Sequence, residues 1–251
     1  MVEVLSNPLT PLAIVAGGLG CAVRAPWCDW LAPSVYRGDP RRKTLALTFD
    51  DGPSESTPEL LDLLDRFGVR ATFFMCGANV RRLPAIAQEV FCRGHEIGNH
   101  TDSHSPLYLK SASFIEHEIA TAQQTFEDVL YFRPKYFRAP FGCRWFGLSA
   151  AQHRHDLLGV MWTVIGLDWK YLADQVARRI ADRARPGGII CLHDGRGLTV
   201  NPDIQNTLDA LTWALPVLQN QGYQFETISE LLCQTNQPAQ SLITDETSSI
   251  E

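Results

Sequence analysis

From residue 44 to residue 226 the sequence alternates between two kinds of segment. Short apolar runs rich in β-branched or aromatic residues occur at 45–49, 71–75, 95–98, 135–138, 158–164, 188–193 and 223–226. Between them lie helical stretches near 57–67, 83–93, 112–130, 147–155, 172–184 and 204–221. In the third of these, Phe114, Ile115, Ile119, Ala122, Phe126 and Val129 mark one helical face. Gly68, Gly94, Gly187, Gly188 and Gly222 stand where helices should stop and strands begin. Repeated strand–helix units imply a parallel α/β sheet with helical crossovers. About seven such units suit a closed or nearly closed barrel better than an open sheet.

The ends of the chain read differently. Residues 1–42, with Pro26, Trp27, Trp30, Pro33 and Pro40, are expected to form an irregular lead-in packed on the barrel. Residues 234–251 are polar and expected to be disordered. The apolar stretch Leu9–Val23 is interrupted by Pro11 and glycines, and it is shorter than the roughly 20 residues a spanning helix needs. It offers no clear membrane span. A signal peptide would carry Lys or Arg ahead of this stretch, where the chain has Glu3. A net charge of −6 argues against nucleic acid or an anionic membrane as the main partner. The seven cysteines form no C-x-x-C pair, which fits neither a zinc ribbon nor a disulfide framework.

The polar residues are informative because of where they fall. "LALTFDDGPS" (45–54) ends an apolar strand with two adjacent carboxylates, although repulsion and desolvation both oppose such a pair. Alternation sends Thr48 and Asp50 to one face and Leu47 and Phe49 to the other, with Asp51 beyond the strand on the Gly52-Pro53 turn. In "GHEIGNHTDSHS" (94–105), His100 and His104 are four apart, and a helical turn would put both imidazoles on one side. Joined to a strand-end Asp, they supply two nitrogens and one oxygen and leave positions open, as a catalytic metal requires. His95, earlier in the strand, reads as structural. Three more strand ends carry polar groups: Arg138 in "YFRAPFG", Asp168 beside Trp169 in "IGLDWKY", and His193 and Asp194 in "GGIICLHDG". Each alone has a dull explanation, such as an ion pair, a helix cap or a core histidine. Together they supply base, metal ligands, acid and cation at the end of a barrel where catalytic groups collect.

"TFDDGP", "HTDSH", "RAPFG", "LDW" and "CLHDG", in that order, resemble the polysaccharide deacetylase family (the NodB homology domain, carbohydrate esterase family four). The resemblance covers residues 43–233. It implies a distorted (β/α)7-type barrel of mostly parallel strands and metal-dependent removal of acetyl groups, usually from N-acetylated sugars. By motif, Asp50 would be the general base, and Asp51, His100 and His104 would hold one divalent metal. That metal would be zinc, with cobalt, nickel or manganese as alternatives. Arg138 would orient Asp50, the backbone N–H of Phe141 would help hold the oxyanion, and His193 would be the general acid with Asp168 as its partner. Trp169 and Leu192 would line the pocket for the acetyl methyl.

The chemistry supports these roles. Amides resist water because the carbonyl is weakly electrophilic and the amine leaves badly. A metal polarises the carbonyl and acidifies water, a carboxylate removes the proton, and an imidazolium protonates the departing nitrogen. The metal's charge would also offset the repulsion between the paired carboxylates. The chain departs from the family at Ile165, a position often acidic, and at Phe141, often Tyr. Arg70 is a second candidate for the cation near Asp50. The expected substrate is a peptidoglycan- or chitin-like glycan. Alternatives are an O-acetyl esterase on xylan-like polymers and, less favoured, an inactive glycan-binding barrel. The sequence leaves the oligomeric state open. It also leaves the compartment open, the family pointing to the cell envelope.

Overall fold

A computed structural model describes residues 18–233. Its centre is β2 (Thr44–Asp50), all of whose residues are buried. Alternation along this strand separates two layers. Leu45, Leu47 and Phe49 point outward and join Leu60, Leu64 and Leu192 in the main core between sheet and helices. Ala46 points inward and meets Phe74, Val160 and Ile189. Both faces are therefore covered, as an all-parallel sheet requires.

Among the described residues the sheet has nine strands. Its order is β1 (Ser34–Val35), β6 (Leu158–Val160), β5 (Tyr136–Phe137), β4 (Glu96–Asn99), β3 (Thr72–Met75), β2, β8 (Gly188–His193) and β7 (Val164–Ile165). A further strand, β9 (Gln224–Glu226), pairs with the first half of β2. Every pair is parallel. β1 and β7, at the two ends of this order, are not paired with each other. The ring closes instead through residues 161–163, which run from β6 directly to β7. Met161 donates its N–H to the Val35 carbonyl (2.7 Å), and Thr163 donates to Ile189 (2.9 Å). This explains why the apolar run 158–164, which reads as one strand, is two: the chain must change partners from one end of the sheet to the other. The architecture is the distorted α/β barrel expected.

The lead-in is less irregular than the sequence implies. Residues 18–24 are helical, and Ser34–Val35 form an edge strand too short to show periodicity. The guanidinium of Arg144 ties this segment down by donating to the carbonyls of Ala25 and Cys28 and to the Ser34 hydroxyl. The proposed disordered tail 234–251 and most of Leu9–Val23 lie outside the described residues. Among those described, no helix is long and apolar enough to cross a membrane, and Cys21, Cys28, Cys76, Cys92, Cys143 and Cys191 are unpaired.

Beyond that first helical segment, the α-helices among the described residues are α1 (Thr57–Phe67), α2 (Gly77–Arg82), α3 (Pro84–Cys92), α4 (Ala112–Leu130), α5 (Leu148–Arg154), α6 (Ala173–Arg183), α7 (Gln205–Asn220) and α8 (Ile228–Cys233). α2 and α8, six residues each, are too short for the periodicity that reveals the others. α1 stops at Gly68 (φ +63°), whose N–H caps the carbonyls of Asp65 and Leu64. On α4, Ile115, Ile119, Ala122 and Phe126 are fully buried on the face the sequence marks. Phe126→Ala should cost about 3–5 kcal/mol by opening a cavity in the main core. A urea midpoint unchanged from wild type would contradict that packing.

Candidate active site

The C-terminal ends of the parallel strands meet in a cleft of about 660 Å³. Asp50 and Asp51 enter it from different backbone directions. Asp50 ends β2 in extended conformation, whereas Asp51 has φ +76°, a region L-residues seldom adopt. Among the described residues nine non-glycines have positive φ, and Asp51, His104, Phe141 and Leu167 all line this cleft. Such strain persists only where surrounding structure over-determines it, and it concentrates at functional sites. Gly52 follows because nothing larger fits: a Cβ there would lie 2.2 Å from Asp194 Oδ2.

Asp51 faces both sequence-predicted histidines. Its Oδ1 lies 2.9 Å from His104 Nε2 and 3.4 Å from His100 Nε2. Its Oδ2 accepts the Gly197 N–H at 2.8 Å. His100 Nδ1 meets the Arg138 carbonyl at 2.7 Å, which fixes the tautomer and leaves Nε2 with a free lone pair. The two imidazoles converge although no helical turn carries them. The segment is a loop bent by left-handed Thr101 (φ +67°) and His104 (φ +56°), so the expected helical spacing is corrected here. Burial pushes the Asp51 carboxyl up, but the imidazoles of His100 and His104 beside it override that and hold the group well below the usual carboxylate range. Its Oδ1 is buried and lacks a conventional hydrogen-bond partner. A buried carboxylate oxygen converging with two imidazole nitrogens fits a divalent cation with open positions for other ligands.

Asp50 is held by Arg138, whose side chain is fully buried. One guanidinium nitrogen donates to Asp50 Oδ1 and to Thr48 Oγ1, both at 2.7 Å. The Arg138 Nε donates to the Val160 carbonyl (3.0 Å), and the plane lies over the Phe74 ring at 4.1 Å. Arg70 is not near this pair. It sits on the surface in an ion pair with Glu230, so its candidacy fails.

β8 runs beside β2 in a register that aligns His193 with Asp50. The His193 Nδ1 and Asp168 Oδ1 are 2.9 Å apart, and Asp168 Oδ2 accepts the His193 N–H and the Thr207 hydroxyl. Burial pushes the His193 imidazole down, but the charge and hydrogen bond of Asp168, with Asp51 and Asp50 beyond, raise it to about 9. Burial likewise raises Asp168, yet the neighbouring imidazolium brings it below its ordinary value. Trp169 stands edge-on to His193 with ring centroids 4.7 Å apart. Asp194 turns away beneath Gly52, where it accepts the Thr57 hydroxyl at 2.7 Å and burial lifts its carboxyl to about 7.

Leu192, expected in the cleft, packs in the core instead. Alternation along β8 puts Ile190 and Leu192 in the main core, while Cys191 and His193 face the cleft. The same rule, which already sets Thr48 on the face of Asp50, finds Cys191 when applied two residues back from His193. Trp162 and Gly197 also line the cleft from connecting segments that carry no periodic signal. Phe141 (φ +59°) places its ring 4.9 Å from that of His104, and Ile165 also lines the cleft.

A polysaccharide deacetylase family model matches residues 37–156. A peptidoglycan-N-acetylglucosamine deacetylase of Bacillus cereus is 36% identical over 194 residues, covering 76% of this chain and 88% of its own. A chitooligosaccharide deacetylase of Bradyrhizobium sp. is 31% identical, covering 75% of this chain and 90% of its own. The crystal structure of a peptidoglycan N-acetylglucosamine deacetylase bound to an N-hydroxybenzamide superimposes with a TM-score of 0.74 at 30% identity. It covers 79% of this chain and 92% of its own. Likeness of this extent, in sequence and in fold and over most of both chains, means that the chain belongs to the polysaccharide deacetylase family.

Proposed function

We propose that the protein is a metal-dependent hydrolase that removes acetyl groups from N-acetylated sugars of a peptidoglycan- or chitin-like glycan, with residues 43–233 as its catalytic domain. The observation that carries this reading is the meeting, in one cleft, of a cation-binding triad with an Arg-held carboxylate and a carboxylate-held imidazole. Asp51, His100 and His104 would hold a divalent cation, which would supply polarisation of the acetamide carbonyl and a more acidic water. Zinc suits two nitrogens and one oxygen best, with cobalt, nickel or manganese as substitutes.

The chain's own residues do the rest. Asp50, its charge compensated by Arg138, takes the proton from the attacking water. The backbone N–H of Phe141 donates to the developing oxyanion. His193 gives a proton from Nε2 to the departing nitrogen, which must not leave as an amide anion. Asp168 keeps Nδ1 protonated and the ring aimed. Trp169 walls the space for the acetyl methyl. A site furnished with a carboxylate-held imidazole as its acid suits amide substrates, because an amine leaving group needs a proton that a good alkoxide leaving group can do without. The relatives' activities on peptidoglycan and chitooligosaccharides support the same substrate class. Acetate release should be measured on N-acetylated chitooligosaccharides, on peptidoglycan and on acetylated xylan. Release from xylan alone would overturn the N-deacetylase reading in favour of an esterase, and release from none would favour a barrel that only binds glycans.

The pH profile supplies a second test. His193 serves as an acid only below its pKa, so kcat/KM should fall on the alkaline side near or below about 9, because a cation on Asp51 cancels one of the charges that raise it. Asp168→Asn removes the largest of those charges while keeping the shape. The alkaline limb should then move to lower pH, and activity near neutrality should drop. A profile superimposable on wild type, with equal turnover, would assign Asp168 to the fold alone.

A further inference from the structure

We propose a second cation site in this cleft, built from Asp50, Cys191 and His193, that takes thiophilic divalent ions such as zinc in excess or cadmium and through them inhibits the enzyme. One ligand atom from each of the three residues lies within 4.8 Å of the other two. The neighbours of each residue leave the right atom free. Asp50 Oδ1 is taken by Arg138, while Oδ2 lies 3.5 Å from Cys191 Sγ. The Nδ1 of His193 is taken by Asp168, so Nε2 is the nitrogen available. Carboxylate-fixed imidazoles of this kind are the usual form of a metal-ligating histidine. The strand register supplies the convergence, since Asp50 and His193 are direct partners and Cys191 shares their face two residues earlier.

The donor set distinguishes this site from the Asp51 triad. That triad has no sulfur, whereas a thiolate with an imidazole and a carboxylate favours softer ions, cadmium above all. Binding sends the thiol proton and the imidazolium proton to solvent, and no oxidant or reductant is needed. The Arg138 guanidinium opposes a second positive charge beside Asp50, so this site fills after the triad. Inhibition follows because the ion occupies the carboxylate oxygen and the imidazole nitrogen that carry the protons; this consequence, unlike the binding itself, rests on the function proposed above.

The test titrates cadmium into protein already holding one equivalent of zinc. Stoichiometry is measured by equilibrium dialysis and the cadmium–thiolate charge-transfer absorption by ultraviolet difference spectroscopy. Wild type should bind one ion more than Cys191→Ala and show a correspondingly larger band. Cys191→Ser, which keeps size and a donor to Asp50, should also lose the band. The concentration of cadmium that halves activity, each protein normalised to its own uninhibited rate, should rise at least about tenfold, the lower end of what even supporting residues contribute to metal affinity. In Asp51→Asn the Cys191-dependent band should persist. Equal stoichiometry and band in wild type and Cys191→Ala would overturn the site, as would loss of the band in Asp51→Asn. If the second ion binds but the protein releases no acetate from any N-acetylated glycan, the proposed function fails and the cation site stands.

Discussion

Asp50→Asn is expected to retain its metal and lose roughly 10²–10⁴-fold in turnover, the range that a positioned general base contributes. The substitution is almost isosteric. An Asn oxygen can still accept from Arg138, so the cleft keeps its shape while the group that takes the proton is gone. The metal triad does not include this side chain: Asp51 Oδ1 faces the histidines, and Asp50 faces Arg138 and Cys191. Metal content by atomic absorption and kcat on a chitooligosaccharide separate the two properties. Wild-type turnover in Asp50→Asn would remove it from the chemistry, and loss of metal would place it among the ligands.

Removing the metal should abolish turnover altogether, and zinc or cobalt should restore it. The purified protein should hold about one divalent ion per chain at the triad. Asp51→Asn strikes the same point from the protein side. It deletes the only carboxylate of the triad, leaves His100 and His104 without the charge they face, and should weaken metal binding itself. Full activity in metal-free protein would end the metal-dependent reading. Identical behaviour of Asp50→Asn and Asp51→Asn, with both retaining metal, would show that their roles are wrongly divided.

Much of this was legible in the sequence for a physical reason. Parallel βαβ units announce themselves through two periods, and strand alternation has no slack, so Asp50 and Leu47 could be assigned to opposite faces from the sequence alone. The five motifs sit at strand ends, where a residue's position in the chain nearly determines its position in space. Failures arose where that link weakens. The motif puts Leu192 in the cleft, although its register with Phe49 puts it in the core. His100 and His104 meet through two left-handed loop residues, which no spacing rule anticipates. Arg70 and Arg138 are both cations near a strand, and only the fold shows which one is buried. The edge strand Ser34–Val35 is too short to carry any periodic signal.

The barrel's closure at residues 161–163 has a consequence for how this enzyme can change. A gap in a β-ladder leaves main-chain carbonyls that no strand will satisfy, and burying them unpaired is costly. Here Val160 and Met161 give their carbonyls to Arg138, the same guanidinium that holds Asp50. The arginine is thus a rivet across the seam as well as part of the proposed catalytic apparatus. Active-site charges usually lower stability in exchange for activity, and laboratory variants often gain stability by discarding them. At Arg138 that exchange is closed: a substitution that retires the chemistry also unfastens the barrel, so selection for robustness alone would keep this piece of the active site in place.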